Sequence, residues 1–162
     1  MKRFLKIIAA LVAVLAAVYF LGPKPAAPNY NNNLIQVPSD AASLEAYVAS
    51  NEAKHQVKPD NEARIVWAND STKAKTPYVI VYLHGFSASQ EEGNPVHKNI
   101  AKQFGCNMYL ARLSEHGIDT IDPLINITAT SLWESAKEAY AIGKQLGEKV
   151  ILMGTSTGGT VA

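Results

Sequence analysis

Gly154, Ser156 and Gly158 stand at alternate positions in Gly154-Thr155-Ser156-Thr157-Gly158-Gly159. In front of them, Val150-Ile151-Leu152-Met153, preceded by Lys149, is an apolar run with the length of a strand. A serine between glycines, at a junction from strand to helix, is the G-x-S-x-G pattern of a nucleophile elbow. The chemistry is attack of a hydroxyl on an acyl carbon, which needs the serine to project from a sharp turn, clear of the backbone. Such a turn costs on the order of 1–3 kcal/mol of backbone strain. Glycines two positions to either side let the strand and the following helix approach each other closely. N–H groups at the start of that helix face the place where an oxyanion would form.

Attack by serine also needs a base, normally a histidine oriented by a carboxylate. The four histidines, His55, His84, His97 and His116, all precede Ser156. His84, in His84-Gly85-Phe86, follows a buried strand and reads as a residue that shapes a loop. His116, in the loop after the third buried strand, reads as a loop residue rather than the base. His97 on a helix and His55 in a polar turn read as surface residues, and Asp119 and Asp122 as loop and turn carboxylates.

The elements that must position this chemistry follow an α/β order. Ser39-Asp40 caps a helix to about Glu52, with Leu44, Tyr47 and Val48 on one face. Arg64–Ala68 reads as an edge strand, and Tyr78–Leu83 as a strand buried on both faces. Pro95 opens a helix to about Phe104 with Val96, Ile100 and Ala101 inward, and Gly105 stops it. Cys106–Ala111 is the next buried strand. Ser131 with Glu134 reads as a capping box for a helix ending at Leu146. Strand, helix, strand, helix, strand, elbow implies right-handed crossovers and a mostly parallel sheet with helices on both faces.

At these residues the chain resembles the α/β-hydrolase family, in its bacterial esterase, monoacylglycerol-lipase-like and serine-aminopeptidase-like branch. The resemblance spans roughly Ile65 onward. It rests on Tyr82-Leu83-His84-Gly85-Phe86, on Ala111-Arg112-Leu113-Ser114-Glu115-His116-Gly117 and on Gly154–Gly159. It implies the N-terminal half of that fold, with Ser156 as nucleophile and the backbone N–H groups of Phe86 and Thr157 as oxyanion donors. His84, Gly85, Gly154, Gly158 and Gly159 would shape the site. The departures at Thr155 and Thr157, where the family often has other residues, leave the chemistry intact, and Glu115 in place of a frequent glycine would alter the pocket entrance. The family places acid and base after the serine, and only Thr160, Val161 and Ala162 follow Gly159. The expectation is therefore a longer gene product that completes a serine esterase. A serine peptidase or thioesterase of the same fold, or an inactive half-hydrolase binding module tethered to a membrane, are the alternatives. The partner implied is a small acyl ester, with no cofactor.

Composition bounds the rest. The chain has 162 residues, enough for one core. Residues 1–30 carry +4 and the remainder −3, without clustered Lys or Arg, which argues against nucleic acid. One cysteine, Cys106, excludes an intrachain disulfide and a cysteine-based metal cage. Gly154–Gly159 lacks the Gly-Lys-Ser/Thr ending of a phosphate loop. No G-x-G-x-x-G opens the first strand–helix unit.

At the N-terminus, Lys2, Arg3 and Lys6 precede an unbroken apolar run, Ile7–Leu21. No A-x-A-like cleavage pattern follows it, so a signal anchor over 1–22 is favoured above a cleaved signal peptide. With the basic residues left in the cytoplasm, the body lies outside. Residues 23–33, with Pro23, Pro25 and Pro28 and a run of asparagines, read as a tether too polar to pack.

Overall fold

Twenty residues, Lys2–Leu21, form helix α1, which buries none of its side chains; its most apolar 18-residue stretch has a mean hydropathy of 2.6. At 1.5 Å per residue it is about 30 Å long, the thickness of a bilayer's hydrocarbon core. It meets the requirement of a membrane anchor and of a signal sequence alike. The computed structural model describes residues 2–24 and 27–162. Met1 of the basic flank and Pro25 of the tether lie outside them.

The body is a four-stranded mixed sheet with helices on both faces. In chain order come α2 (Ala41–Glu52), β1 (Arg64–Val66), β2 (Thr76–Leu83), a 3-10 turn (Gln90–Gly93), α3 (Val96–Phe104), β3 (Asn107–Leu110), α4 (Ala129–Leu146), β4 (Gly147–Gly154) and α5 (Thr157–Thr160). The strand order is β1-β3-β2-β4. β2 pairs in parallel with β3 and with β4, in a register running from Thr76 opposite Gly147 to Leu83 opposite Gly154. β1 pairs with β3 antiparallel and is the edge strand its short polar-flanked sequence suggests.

Alternation along β2 divides the core. Val79, Val81 and Leu83 face α2 and α4, joined by Leu44, Val48, Ala136, Ala139, Ile142 and Leu146. Ile80 and Tyr82 face α3, joined by Ala101, Met108 and Leu110. At α4, Gly143 is required because a Cβ there would lie 2.5 Å from Val81.

Several expectations need correction. The box at the start of α4 is formed by Thr128 and Ser131, not Ser131 and Glu134. The Ser131 N–H donates to Thr128 Oγ1 and the Thr128 N–H to Ser131 Oγ. Glu134 instead pairs with Lys137. On α3, Val96 is exposed and His97 is buried, the reverse of the expected faces. β1 ends at Val66, because the Ala68 N–H is taken by the Asn107 side chain (2.8 Å). Gly147 caps α4, which ends at Leu146 as expected. It is extended (φ −148°) and begins β4 directly.

The tether also departs from its reading. Residues 29–33 pack along α4: the Asn31 carbonyl accepts from Trp133 Nε1 (3.1 Å) and from Lys137 Nζ (2.5 Å). The Asn33 carbonyl accepts from Lys137 too, and the Tyr30 ring meets Trp133 edge to face. The polar sequence packs because its backbone carbonyls, not its side chains, satisfy a buried ammonium.

Candidate functional site

β2, β3 and β4 run in parallel, so the loops that leave them open at one end of the sheet. Four non-glycine residues there, among the described residues, hold left-handed φ values: Ser87 (58°), Glu115 (63°), Leu124 (67°) and Ser156 (47°). Backbone strain of this kind, about 1–3 kcal/mol each, persists only where the surroundings enforce it.

Ser156 has φ 47° and ψ −112° and stands between the end of β4 and the start of α5. What enforces that conformation is visible around it. The Thr155 N–H donates to the Leu83 carbonyl (3.1 Å) and the Gly158 N–H to the Thr155 carbonyl (2.8 Å). A Cβ on Gly158 would lie 2.0 Å from the Leu83 carbonyl oxygen, and one on Gly154 2.5 Å from the Gly159 nitrogen. Backbone meets backbone at both positions, so neither tolerates a side chain. Gly159 has room for a Cβ, at 3.5 Å from its nearest neighbour. The Ser156 side chain is exposed, and its hydroxyl makes no hydrogen bond among the described residues.

The first loop is tied beneath this turn. The Gly85 N–H donates to Glu92 Oε2 (2.7 Å), and the Tyr82 hydroxyl pairs with Thr155 Oγ1 (2.9 Å), one residue before the serine. Glu92 and the Tyr82–Thr155 pair were not legible as site residues. Their partners come from separate elements, and nothing in Gln90-Glu91-Glu92-Gly93 announces them. Phe86 follows, with its side chain exposed. Among the described residues the Phe86 and Thr157 N–H groups donate to no protein acceptor.

His84 is fully buried. Its Nε2 accepts the Leu113 N–H (3.0 Å), so the proton sits on Nδ1 and is donated to the Gly85 carbonyl (2.8 Å). Burial pushes its pKa down to about 4, with His116 and Arg112 adding to the effect. It is a neutral strut between the loops after β2 and β3. His116 is buried edge-on against His84 and Phe86, at ring separations of 4.8 and 5.8 Å. Its Nδ1 lies 2.8 Å from the Ser114 carbonyl, and its Nε2 is buried without a partner. His97 packs against the Tyr82 ring, and its Nε2 reaches the Gln90 carbonyl (3.0 Å). His55 is exposed, as expected. None of the four imidazoles hydrogen-bonds to Ser156.

A cleft of about 570 Å³ lies away from Ser156, between α2, α4 and the loop after β3. Its polar groups largely satisfy one another. Arg112 forks onto Glu52 (2.7 and 3.1 Å), and Glu138 accepts from Tyr47 and Asn51. A smaller cleft of about 240 Å³ beside α5 is lined by Leu83, Trp133, Tyr140, Leu152 and Val161. No group of three or more His, Cys, Asp or Glu residues among the described residues is arranged to hold a metal ion.

Compared with known proteins, the chain matches no family model, and no curated protein matches it.

Proposed function

We propose that the chain carries the nucleophile half of a serine hydrolase with an α/β-hydrolase fold, acting on carboxylic esters through an acyl-enzyme. The observation that carries this reading is Ser156, an exposed hydroxyl held at φ 47° and ψ −112° between a parallel strand and a helix. The strain has a use in this reading, because it lifts Oγ away from the sheet toward a substrate carbonyl. Oγ would attack the carbonyl carbon, and its proton would pass to a base. The unengaged Phe86 and Thr157 N–H groups would receive the developing oxyanion. When the tetrahedral intermediate collapses, the alcohol leaves with a proton and the acyl group stays on Ser156; water then releases it.

The base and its orienting acid are not among the residues brought to Ser156. His84 cannot serve, since both of its nitrogens are engaged and it stays neutral to about pH 4. The reading therefore requires a histidine from outside the described residues. The helix α1 fits a membrane anchor, with Lys2, Arg3 and Lys6 on the cytoplasmic side and the body outside.

A fluorophosphonate probe tests the proposal. The product of the whole gene should be labelled at Ser156, and Ser156→Ala should abolish labelling. A folded wild-type product that resists the probe overturns the hydrolase reading and favours a membrane-tethered binding module. The 162-residue chain by itself should turn over p-nitrophenyl esters no faster than its Ser156→Ala variant.

A further inference from the structure

The tether reaches the body at one particular end. The Asn29 N–H donates to Thr130 Oγ1 (3.1 Å), in the first turn of α4. Asn31 then meets Trp133 and Lys137, and Asn33 meets Lys137. The chain thus arrives at the N-terminal end of α4 and runs along it. α4 returns from the end of β3 to the start of β4, so it lies antiparallel to the strands. Its far end is fixed by the Leu146 carbonyl, which accepts from Asn107 Nδ2 (2.8 Å) at the start of β3. Thr130 is therefore at the end of the sheet where β2, β3 and β4 finish, the end that holds Ser156 and Phe86.

From Leu21, the last residue of α1, to Asn29 there are eight residue steps. A fully extended chain covers at most about 28 Å over that length. With α1 in a bilayer, the membrane surface lies within that distance of the site-bearing end. The opposite end is separated from Thr130 by the length of α4, about 27 Å for its 18 residues, and has no comparable tie to α1 among the described residues.

A second observation points the same way. This end carries bare apolar side chains on irregular loops: Ile121 is 96% exposed, Ile125 71% and Phe86 59%. Ile121 and Ile125 belong to the connection that leads into the first turn of α4, beside the tether's point of arrival. Asp119 and Asp122 flank Ile121. At a bilayer surface their charges would keep the loop at headgroup depth and out of the hydrocarbon.

We infer that the strapped tether turns the site-bearing end of the sheet toward the bilayer that α1 enters, with Ile121, Ile125 and Phe86 resting in its interface. The inference rests on α1 as an anchor and deepens the hydrolase reading. A site facing the interface takes amphiphilic acyl esters from the membrane in preference to water-soluble ones.

The test places a fluorophore, one at a time, at Ala10→Cys, Ile121→Cys, Ile125→Cys and Ser71→Cys in the full chain, reconstituted in phosphatidylcholine vesicles. Ser71 is exposed in the loop that leads into β2, at the far end of the sheet. Cys106 is buried, and the parent chain serves as the labelling control. Labels at 121 and 125 should be quenched by lipid carrying a shallow nitroxide and shielded from iodide several-fold relative to Ser71. If the Ala10 label is quenched by deep nitroxide while both loop labels are as open to iodide as Ser71, the orientation is overturned and the anchor stands. If the Ala10 label is itself open to iodide, both fall. Loop labels shielded from iodide without nitroxide quenching indicate a second copy of the chain on this surface, and also overturn the inference. Fluorophosphonate labelling of Ser156 is scored separately, so failure of the hydrolase reading is distinguishable from failure of the orientation.

Discussion

At the residue level the sharpest electrostatic consequence belongs to His84. Burial holds its pKa near 4, against an ordinary value of 6.5. Above pH 6.5 neither the folded nor the unfolded imidazole is charged, and the group does not bias folding. Between 6.5 and 4 the unfolded chain takes up a proton that the native chain refuses, so stability falls as the pH falls. The loss amounts to about 3 kcal/mol when complete. Melting temperatures measured in detergent from pH 7 to pH 4 should drop more steeply for the wild type than for His84→Gln. Equal slopes would mean that the imidazole is not held neutral. Of the other imidazoles, His97 shows why part of the site was illegible. A histidine in Val96-His97-Lys98-Asn99 carries no mark of burial. Its inward position comes from the angle at which α3 meets Tyr82 and from the Gln90 carbonyl that satisfies its Nε2. Ser156 was legible because its requirement is local, a strained turn with glycine at fixed offsets. Glu92, a carboxylate on a loop, gains its role only through folding.

At the level of elements, the turn between β4 and α5 separates two kinds of glycine that look alike in sequence. Gly158 faces the Leu83 carbonyl with no space for a methyl group, whereas Gly159 faces ordinary van der Waals distances. Gly158→Ala should destabilise by about 3 kcal/mol or more, since rigid backbone on both sides cannot yield. Gly159→Ala should stay within about 0.5 kcal/mol of wild type, since it touches nothing closely. Urea unfolding of the pair decides it: equal midpoints would show that the close approach of β2 and the elbow is not what Gly158 serves. The start of α4 makes the complementary point. Both Thr128 and Ser131 can cap, and an acidic residue three positions after Ser131 favoured the later start. The chain chose the earlier one because Thr128 and Ser131 satisfy each other's backbone N–H groups. Thr128→Ala should therefore cost about 1 kcal/mol, and Ser131→Ala a comparable amount, whereas Glu134→Gln should leave the cap intact. A loss confined to the Glu134 variant would restore the later boundary.

At the scale of the molecule, the alternating α/β order and the mostly parallel sheet were legible, because strand burial and helix spacing are written in hydrophobic pattern. The strapped tether was not. Pattern reads side chains, and the strap is held by carbonyl groups that every residue possesses. Its strength centres on Lys137, whose ammonium is buried, receives the Asn31 and Asn33 carbonyls and pairs with Glu134. A hydrogen bond to a charged group contributes about 1.5–3 kcal/mol. Removing the ammonium should raise the population of the undocked strap at least tenfold, since 1.4 kcal/mol is one decade. In Lys137→Ala, the Asn29 and Asn33 amides, both donors in the strapped state, should exchange with deuterium at least about ten times faster than in wild type. The β2 amides, paired on both sides by β3 and β4, should exchange at nearly the wild-type rate, because the sheet does not depend on the strap. Unchanged exchange at Asn29 would mean that the Asn29–Thr130 hydrogen bond and the Tyr30–Trp133 contact hold the strap without the ammonium. Faster exchange throughout the sheet would mean that Lys137 supports the core itself, and that strap and body unfold as one unit.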